Sequence, residues 1–374
     1  MKKRILIPYA TYGSGHKSVA EYIKEYFEKN GEYECLAIDV LSYAAPFLTN
    51  IAKSVSKTMM TKMPDIFTVF YALANNRPSA TIFEDISVFF LKNKKLEQEI
   101  RDFNPDLTIA THFLGSDLIA DYNKRGITNS KIVTVVTDYE AHAFWQKNRK
   151  VDALILANEK EKLRLMDKGF REDQLFVSGI PIAVNMDMDY DRDALIEKFG
   201  IDKNLVTVMF FGGGGDGSTW NLRFFKAILE NDYPCNVLFI AGKSESAFKA
   251  ANKYVEKYEA KNAKVFGYVD VNDFYRVSDF VITKPGGAQV TECLFLSKPM
   301  LLVKGNGGQE NANKKYLVEN GYAESATMKG DFLDAFEKLL YNDRLRERMS
   351  AKIDEKNQRE AIVRLFDFIN KMMN

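Results

Sequence analysis

The segment from Val281 to Asn313 carries residue types suited to a charged, hydroxyl-rich ligand. A β-branched run, Phe280 to Thr283, leads to Gly286 and Gly287, and this order predicts a strand, a glycine turn and the start of a helix. At a helix N-terminus, unpaired backbone N–H groups and the positive end of the helix dipole favour an anion. The segment therefore predicts a phosphate site.

Polar residues that suit a sugar follow this predicted phosphate site. Glu292 lies one to two turns into the predicted helix, and Gln309, Glu310 and Asn313 come after the next predicted strand. Their side chains supply the donors and acceptors that a polyol needs. The glycine pair alone is also typical of an ordinary turn between strand and helix. The whole combination favours a pocket for a phosphate joined to a sugar.

The chain has only three histidines, and each follows an apolar run at the end of a predicted strand. These are His16, His112 and His142. Histidine at such positions is a candidate for acid–base chemistry, although a surface or core role remains an alternative for each. Asp138, just before His142, is placed to orient an imidazole or to act as a base itself. Metal binding is disfavoured, because no closely spaced pair or companion cysteine accompanies the histidines.

Two glycine loops follow predicted strands in the same way. Residues Tyr12 to His16 read Y-G-S-G-H, and residues Phe211 to Gly217 read F-G-G-G-G-D-G, with Gly213 and Gly214 at the centre. The second loop precedes Ser218, where a helix is predicted to start, but it lacks the lysine of a Walker A loop and is not a GxGxxG fingerprint. Because ligands bind beyond the carboxyl ends of strands in open α/β sheets, both loops are predicted to face a ligand. A flexible turn is the alternative.

Composition indicates a cytoplasmic enzyme with two domains. The chain has 374 residues, of which 46% are hydrophobic. Its 52 basic residues nearly cancel 51 acidic ones, so the positive electrostatic potential that attracts nucleic acid is not indicated. No run approaches the roughly 20 apolar residues that span a bilayer. The three cysteines are odd in number and never form a CxxC pair, which is typical of a reducing compartment.

Short apolar runs alternate with amphipathic stretches in two series, which predicts an α/β chain with two doubly wound, Rossmann-like domains facing a central cleft. The boundaries are predicted at 1–184, 185–355 and 356–374, the last a helix packing back on the first domain. The predicted strands are Arg4–Ala10, Cys35–Val40, Asp106–Thr111, Lys131–Thr137, Asp152–Ala157 and Leu175–Ser178, then Leu205–Phe211, Cys235–Ala241, Lys264–Gly267, Phe280–Thr283 and Pro299–Val303.

The linker between the two series contains an acidic DxD pattern, Asp187 to Asp189. Many sugar-nucleotide enzymes hold a divalent metal with this pattern. Here it lies in a longer acidic run and no apolar strand precedes it. A solvated linker is therefore the favoured interpretation, and no metal site is predicted.

Taken together, the motifs resemble the diacylglycerol glycosyltransferases of glycosyltransferase family 28, which include bacterial processive glucosyltransferases and plant monogalactosyldiacylglycerol synthases. The resemblance runs from about residue 4 to about residue 350. The motifs that carry it are Y-G-S-G-H at 12–16, V-T-D at 136–138 with His142 and Trp145, G-I-P-I at 179–182, F-G-Y-V at 266–269, T-K-P-G-G at 283–287, T-E at 291–292, and G-Q-E at 308–310 with Asn313.

This resemblance implies a GT-B fold and an inverting transfer from a UDP-sugar, with no cofactor and no essential metal. His16 is the first candidate for the general base that such a transfer needs, and Asp138 is the second. In the family, residues matching Phe266 and Tyr268 border the uracil, Glu292 matches the ribose ligand, Gly286 and Gly287 face the diphosphate, and Gln309 and Glu310 read the sugar. The predicted donor site comprises Gly213, Gly214, Phe266, Tyr268, Lys284, Gly286, Gly287, Glu292, Gln309, Glu310 and Asn313, and the predicted acceptor site comprises Tyr12, Gly15, His112, His142 and Trp145.

Two departures from the family pattern limit this assignment. Plant members carry an acid just before the glycine loop, whereas this chain has A-T-Y at 10–12, so a base at that position is excluded. Many members approach the G-Q-E motif through a proline, whereas this chain has K-G-N-G-G at 304–308. We therefore expect a looser loop there and do not assume the sugar preference.

A basic amphipathic segment is predicted to reach the lipid. No acidic residue occurs between Asp39 and Asp65, and the basic and apolar residues predicted to contact an anionic membrane surface are Lys53, Lys57, Met59, Met60 and Lys62. The alternative is an apolar stripe packed on the sheet with solvated lysines. The favoured interpretation is a protein peripherally associated with the inner face of the cell membrane.

Three functions remain open at this point. The first is transfer of a hexose, glucose rather than galactose, from UDP to diacylglycerol or a glycosyl-diacylglycerol. The second is transfer from UDP-N-acetylglucosamine to another lipid acceptor. The third is a UDP-sugar epimerase or a catalytically silent sensor with the same two domains.

Overall fold

The computed structural model describes residues 2–11, 15–43, 91, 93–147, 151–182, 190–212, 221–303, 308–356 and 358–374. Predictions for Tyr12, Gly213 and Gly214, for the Asp187–Asp189 linker, and for the basic segment therefore lie outside the described residues; the last group is Lys53, Lys57, Met59, Met60 and Lys62. Within the described ranges, no helix is long and apolar enough to cross a membrane.

The chain divides into two compact units. The first comprises Met1–Val184, Asn306–Ala312 and Arg359–Asn374, and the second comprises Asn185–Gly305 and Asn313–Gln358. The first unit is thus assembled from separate stretches of the chain, and its last stretch follows the whole of the second unit.

The first unit is built on a six-stranded parallel sheet with the order β2-β1-β3-β4-β5-β6. Strands β3 and β5 are buried along their whole length, as expected for a parallel sheet covered on both faces. The strands are β1 (Lys3–Tyr9), β2 (Tyr33–Asp39), β3 (Leu107–Ala110), β4 (Lys131–Val135), β5 (Ala153–Leu156) and β6 (Leu175–Val177). The helices that follow them are α1 (Gly15–Asn30), α2 (Lys94–Phe103), α3 (Phe113–Lys124), α4 (Ala143–Lys147) and α5 (Glu159–Asp167).

The second unit repeats this architecture with the strand order β12-β11-β10-β7-β8-β9, again all parallel. Its strands are β7 (Val206–Phe211), β8 (Cys235–Ile240), β9 (Ala263–Phe266), β10 (Phe280–Thr283), β11 (Met300–Leu302) and β12 (Ala323–Ser325). Its helices are α6 (Arg192–Phe199), α7 (Leu222–Glu230), α8 (Glu245–Lys257), α9 (Asn272–Val277), α10 (Gly287–Phe295), α11 (Gln309–Glu319), α12 (Lys329–Tyr341) and α13 (Asp343–Glu355).

The prediction of two doubly wound α/β domains is confirmed. Every predicted strand is present, displaced by at most two residues at either end. Strand β12 was missed, because it is only three residues long and its sequence, A-E-S, is mostly polar. The helix predicted from Ser218 is described from Leu222 onward.

The last helix, α14 (Ala361–Met373), packs on the sheet of the first unit. The Phe366 ring meets that of Phe27 edge-to-face with centroids 5.0 Å apart, and Phe368 stacks on Phe176 of β6 at 4.3 Å. These aromatic contacts join α14 to both edges of the sheet, because α1 packs beside β2 and β6 is the opposite edge strand.

Truncating the buried face of α14 is expected to destabilise the first unit. Leu365 is fully buried, so Leu365→Ala should lower the free energy of unfolding by about 2 to 5 kcal/mol. Val363→Ala, on the exposed face of the same helix, should change it by no more than about 0.5 kcal/mol. Urea denaturation followed by circular dichroism measures both, and equal effects would contradict the packing described for α14.

Candidate active site

The three histidines meet at one edge of the first sheet. Strands β1, β3 and β4 are neighbours, and their carboxyl ends lead to His16 in the first turn of α1, His112 directly before α3, and His142 directly before α4. The ring centroids of His16 and His112 are 4.6 Å apart, with the planes nearly perpendicular. The Trp145 ring lies 5.7 to 6.2 Å from all three. We call His16, His112, His142 and Trp145 the histidine cluster.

The hydrogen bonds of His16 fix its tautomer. Its Nδ1 lies 2.9 Å from the carbonyl oxygen of Thr111 and 2.9 Å from Oγ1 of Thr137. A carbonyl oxygen can only accept, so Nδ1 carries the proton and donates it to Thr111, which leaves the lone pair on Nε2. The Thr111 hydroxyl donates in return to the carbonyl of His16 at 2.9 Å. The imidazole is therefore held with Nε2 as a proton acceptor.

Burial keeps the three imidazoles neutral. It lowers the pKa of His16 to about 4 and that of His142 to about 3, and the pKa of His112 lies well below its usual value. For His112 and His142, repulsion from neighbouring imidazoles acts in the same direction as burial. At neutral pH, His16 is therefore in the protonation state that can accept a proton.

Hydrogen bonds from α5 hold the segment between β4 and α4 in place, and we call this set of bonds the clamp. The Glu161 carboxylate accepts hydrogen bonds from the Ala141 amide at 2.8 Å and from Arg164 at 2.6 Å, and Arg164 also donates to the Ala141 carbonyl at 2.6 Å. Asn158, which caps α5, donates to the carbonyl of Tyr139 at 3.0 Å. Burial raises the pKa of the Glu161 carboxyl, and Arg164 opposes this effect. These bonds fix the backbone between Asp138 and His142.

Sequence reasoning missed this clamp. Its one local signal is the spacing of Asn158 and Glu161, which matches the start of a helix with an acidic third residue. Asp138 is buried within the clamped segment, and its role as the second candidate base stays a prediction.

Two partly exposed phenylalanines adjoin the histidine cluster. The rings of Phe113 and Phe144 are stacked, with centroids 5.2 Å apart and planes 17° from parallel. Phe113 lies 4.3 Å from the ring of His112, and Phe144 lies 5.5 Å from that of His142. This stacked pair, which we call the phenylalanine wall, gives the cluster an apolar border. It was also missed, although Phe113 directly follows His112 in the sequence.

In the second unit, the predicted phosphate turn lies at the start of α10. Gly286 is the N-cap residue, and the first intrahelical bond runs from the Val290 amide to the Gly286 carbonyl at 3.0 Å. The amides of the first turn are thus the orphan donors of a helix N-terminus. The buried Asn313 side chain donates to the carbonyl of Pro285 at 3.1 Å. Asn313 therefore supports the turn, and its predicted role in binding the sugar stays a prediction.

Glu292 is partly exposed one turn further along α10, where its Oε2 accepts a hydrogen bond from the Tyr275 hydroxyl at 2.9 Å. Phe266 and Tyr268, the two side chains predicted to border the uracil, differ in their surroundings. Phe266 packs on Phe274 with ring centroids 4.7 Å apart, whereas Tyr268 is 74% exposed and carries the Lys243 ammonium 4.8 Å from its ring centroid. An exposed ring of this kind is suited to stacking on a flat base.

Lys284, Gln309 and Glu310 are the other described residues predicted to bind the UDP-sugar. Lys284 is partly buried just before the phosphate turn. Gln309 and Glu310 form the first turn of α11, and this helix spans the division of the chain, because residues up to Ala312 group with the first unit. Their role in reading the sugar stays a prediction. In the part of the chain that the structure describes, no group of three His, Cys, Asp or Glu side chains could hold a metal ion.

Comparison with known proteins agrees with this architecture. Residues 16–182 match the family described as monogalactosyldiacylglycerol (MGDG) synthase, and residues 218–356 match glycosyl transferases group 1. The processive diacylglycerol beta-glucosyltransferase of Bacillus cereus (strain G9842) is 26% identical over 341 residues, which cover 91% of this chain and 86% of the relative. The Bacillus pumilus (strain SAFR-032) protein of the same name is 27% identical over 354 residues, covering 93% and 89%.

Solved structures share the fold at low identity. S. aureus MnaA in its UDP co-structure aligns with a TM-score of 0.67 at 15% identity, covering 100% of this chain and 97% of that one. Acinetobacter baumannii MurG aligns with a TM-score of 0.64, also at 15% identity, covering 99% of both chains. The predicted GT-B fold is confirmed.

The fold and the matched domains define a glycosyltransferase of the GT-B class. Within this class, the chain is similar to the processive diacylglycerol beta-glucosyltransferases over about nine tenths of its length and to the MGDG synthase family over residues 16–182, which confirms the resemblance that its motifs predicted.

The depressed pKa of His16 is expected to make the first unit less stable as pH falls. Between the ordinary histidine pKa of 6.5 and the folded value of about 4, the unfolded chain binds a proton that the folded protein does not. The free energy of unfolding should therefore decrease as pH is lowered through this window. His16→Asn retains a donor for Thr111 but cannot be protonated, so it should reduce the slope by about 1.4 kcal/mol per pH unit.

Urea denaturation between pH 6.5 and 4 measures this slope. Thr137→Val is the matched control, because it removes a neighbour of His16 Nδ1 but no titrating group. An unchanged slope in His16→Asn would show that the imidazole titrates normally in the folded protein.

Proposed function

We propose that the protein is an inverting glycosyltransferase that moves a hexose, glucose rather than galactose, from a UDP-sugar to diacylglycerol or a glycosyl-diacylglycerol. The observation that carries this proposal is the neutral His16, held with its Nε2 lone pair available, in a cluster bordered by the phenylalanine wall. A base beside an apolar surface fits an acceptor that is both a hydroxyl compound and a lipid.

The first unit would bind the acceptor. In an inverting transfer, the acceptor oxygen forms a bond to the anomeric carbon, the bond from that carbon to the diphosphate breaks, and the acceptor proton passes to a base. His16 Nε2 takes this proton in the proposal, and the imidazolium then releases it to solvent. The glycerol hydroxyl would approach the histidine cluster while the acyl chains contact Phe113 and Phe144. The clamp on Ala141 would keep His142 in place during this step.

The start of α10 and its neighbours in the second unit would bind the nucleotide part of the donor. The orphan amides and the dipole of α10 favour the diphosphate, and they stabilise the charge that develops on the leaving UDP without a metal ion. Gly286 and Gly287 let phosphate oxygens approach the backbone. Glu292 would accept hydrogen bonds from the ribose, Tyr268 would stack on the uracil, and Gln309 with Glu310 would read the sugar.

The proposal places the enzyme in the cytoplasm, at the inner face of the cell membrane. The support for this location is the basic amphipathic sequence around Lys53, Lys57 and Lys62, together with the names of the relatives, which act on diacylglycerol. Attraction between lysines and anionic lipid is screened beyond about 8 Å at physiological salt, so activity on membranes should depend on ionic strength.

A product assay tests the proposal. Diacylglycerol is supplied in anionic or zwitterionic vesicles at low and high salt with a panel of UDP-sugars, and both UDP release and lipid mass are measured. We expect UDP release that requires diacylglycerol, a lipid heavier by one or more hexoses with UDP-glucose, and faster turnover on anionic vesicles that falls with salt.

Other outcomes identify the alternatives. The solved structures of similar fold include a Neisseria meningitidis UDP-GlcNAc 2-epimerase, which aligns with a TM-score of 0.64 at 13% identity. Conversion of UDP-N-acetylglucosamine without any acceptor would replace the proposal with an epimerase. Sugar transfer only from UDP-N-acetylglucosamine, to a different lipid, would keep the class and change both substrates.

Substitutions should separate the base from the donor site. His16→Ala is expected to lower kcat by about 10² to 10⁴-fold, the usual contribution of a general base, with little change in the Kd for UDP. Glu292→Ala should instead weaken UDP binding by about tenfold or more, because hydrogen bonds to a charged group are lost. Glu337→Ala is the control, since Glu337 is also bonded to a tyrosine, Tyr233, away from the motif residues. Normal turnover in His16→Ala would move the base to Asp138 or elsewhere.

A further inference from the structure

Tyr275 is a fully buried polar residue that no motif singles out. It lies in α9, and its ring packs 5.9 Å from that of Phe211 at the end of β7. Its hydroxyl donates to Glu292 Oε2 at 2.9 Å and also contacts the thiol of Cys293. Tyr275 therefore links the interior of the second unit to the carboxylate proposed to bind ribose.

We propose that Tyr275 is a positioning residue that holds the Glu292 carboxylate for the two hydroxyls of a ribose, and thereby sets a preference for ribonucleotides over 2′-deoxyribonucleotides. This inference rests on the proposed binding of a UDP-sugar by the second unit. Beyond that function, it assigns to Tyr275 the selectivity of the nucleotide site for ribose over 2′-deoxyribose.

The direction of the hydrogen bond follows from the surroundings of the hydroxyl. Burial, reinforced by the negative charge of Glu292, raises the pKa of Tyr275 well above its usual value, so the phenol stays protonated. A protonated phenol next to a carboxylate donates to it, and the carboxylate only accepts. Since a carboxylate can accept about four hydrogen bonds, a bond from Tyr275 is compatible with bonds from two ribose hydroxyls.

The position of the hydroxyl is set by core packing. In α9, Phe274 and Val277 are buried together with Tyr275, so the backbone of this short helix is fixed on both sides of the tyrosine. Glu292 is more exposed and has several rotatable bonds, so on its own it would lose side-chain entropy when it orders around a ligand. The bond from Tyr275 orders the carboxylate before the ligand arrives, which strengthens binding.

A fixed carboxylate also explains selectivity. If the carboxylate is held to face two hydroxyls, a nucleotide that lacks the 2′-hydroxyl leaves one acceptor without a partner after water has been excluded. A site built to bind a hydroxyl rejects the analogue without it much more strongly than a flexible site does. Removing the tyrosine hydroxyl should therefore weaken binding of the ribonucleotide and spare that of the deoxyribonucleotide.

The test compares the binding of UDP and 2′-deoxy-UDP to the full-length protein by calorimetry, in wild type and in Tyr275→Phe. Wild type should bind UDP about tenfold or more tightly than 2′-deoxy-UDP. Tyr275→Phe should raise the Kd for UDP by about tenfold and change that for 2′-deoxy-UDP by less than about threefold, so the ratio approaches one. With UDP-sugar as substrate, KM should rise in the same proportion while kcat changes by less than about twofold.

Tyr233→Phe is the matched control. It removes a tyrosine–glutamate hydrogen bond of 2.6 Å, to Glu337, in the same unit, and it should leave both Kd values as in wild type. Should Tyr275→Phe fail to fold, Glu292→Asp provides a second variant. The shorter side chain keeps the charge but withdraws the carboxylate from the Tyr275 hydroxyl, and the same loss of preference is expected.

The outcomes distinguish this inference from the function on which it rests. Absence of UDP binding in wild type would overturn the proposed function. UDP binding with a clear preference over 2′-deoxy-UDP that persists in Tyr275→Phe would overturn the role of Tyr275 alone. Equal binding of the two nucleotides by wild type would overturn both that role and the ribose contact of Glu292.

Discussion

The site in the first unit depends on one constraint, which is that β1, β3 and β4 lie side by side and run in the same direction. Parallel neighbours end at the same edge, so residues far apart in sequence are brought to one place without a long loop. The bond from His16 Nδ1 to the Thr111 carbonyl is a direct product of this arrangement, because it joins the residue after β3 to the helix after β1. This bond fixes the tautomer of His16. The burial that comes with the arrangement of the strands lowers the pKa of His16, against the opposing effect of the bond to Thr111.

The second unit has the same arrangement of parallel strands, but different groups lie at the strand ends. Here β10 leads to the N-terminus of α10, where backbone amides are the available donors. Backbone donors cannot change protonation state, so the proposed binding of a phosphate at this turn would not depend on pH in the physiological range. The side chains around the turn, among them Asn313 and Tyr275, fix other groups in place.

The parts of this structure that were predictable from sequence are those encoded locally. Buried parallel strands are visible in the sequence as continuous apolar runs. The glycines and histidines that directly follow these runs could be recognised as candidates, because ligands bind at the carboxyl ends of such strands. The phenylalanine wall, the clamp by Glu161 and Arg164, and the bond from Tyr275 to Glu292 were not predictable, because each joins separate elements or depends on how a side chain is packed. The bond from Asn313 to the Pro285 carbonyl was not predictable either, because it joins α11 to the turn before α10.

The first unit combines stretches from both ends of the chain, so its parts are synthesised far apart in time. Helix α14 completes this unit, with Lys3 at the start of β1 donating a hydrogen bond to the carbonyl of Met373 at 2.7 Å. Domains usually fold in the order in which they leave the ribosome. In this chain α14 emerges only after the whole of the second unit, so the buried face that it adds to the first unit is the last part of that unit to be synthesised.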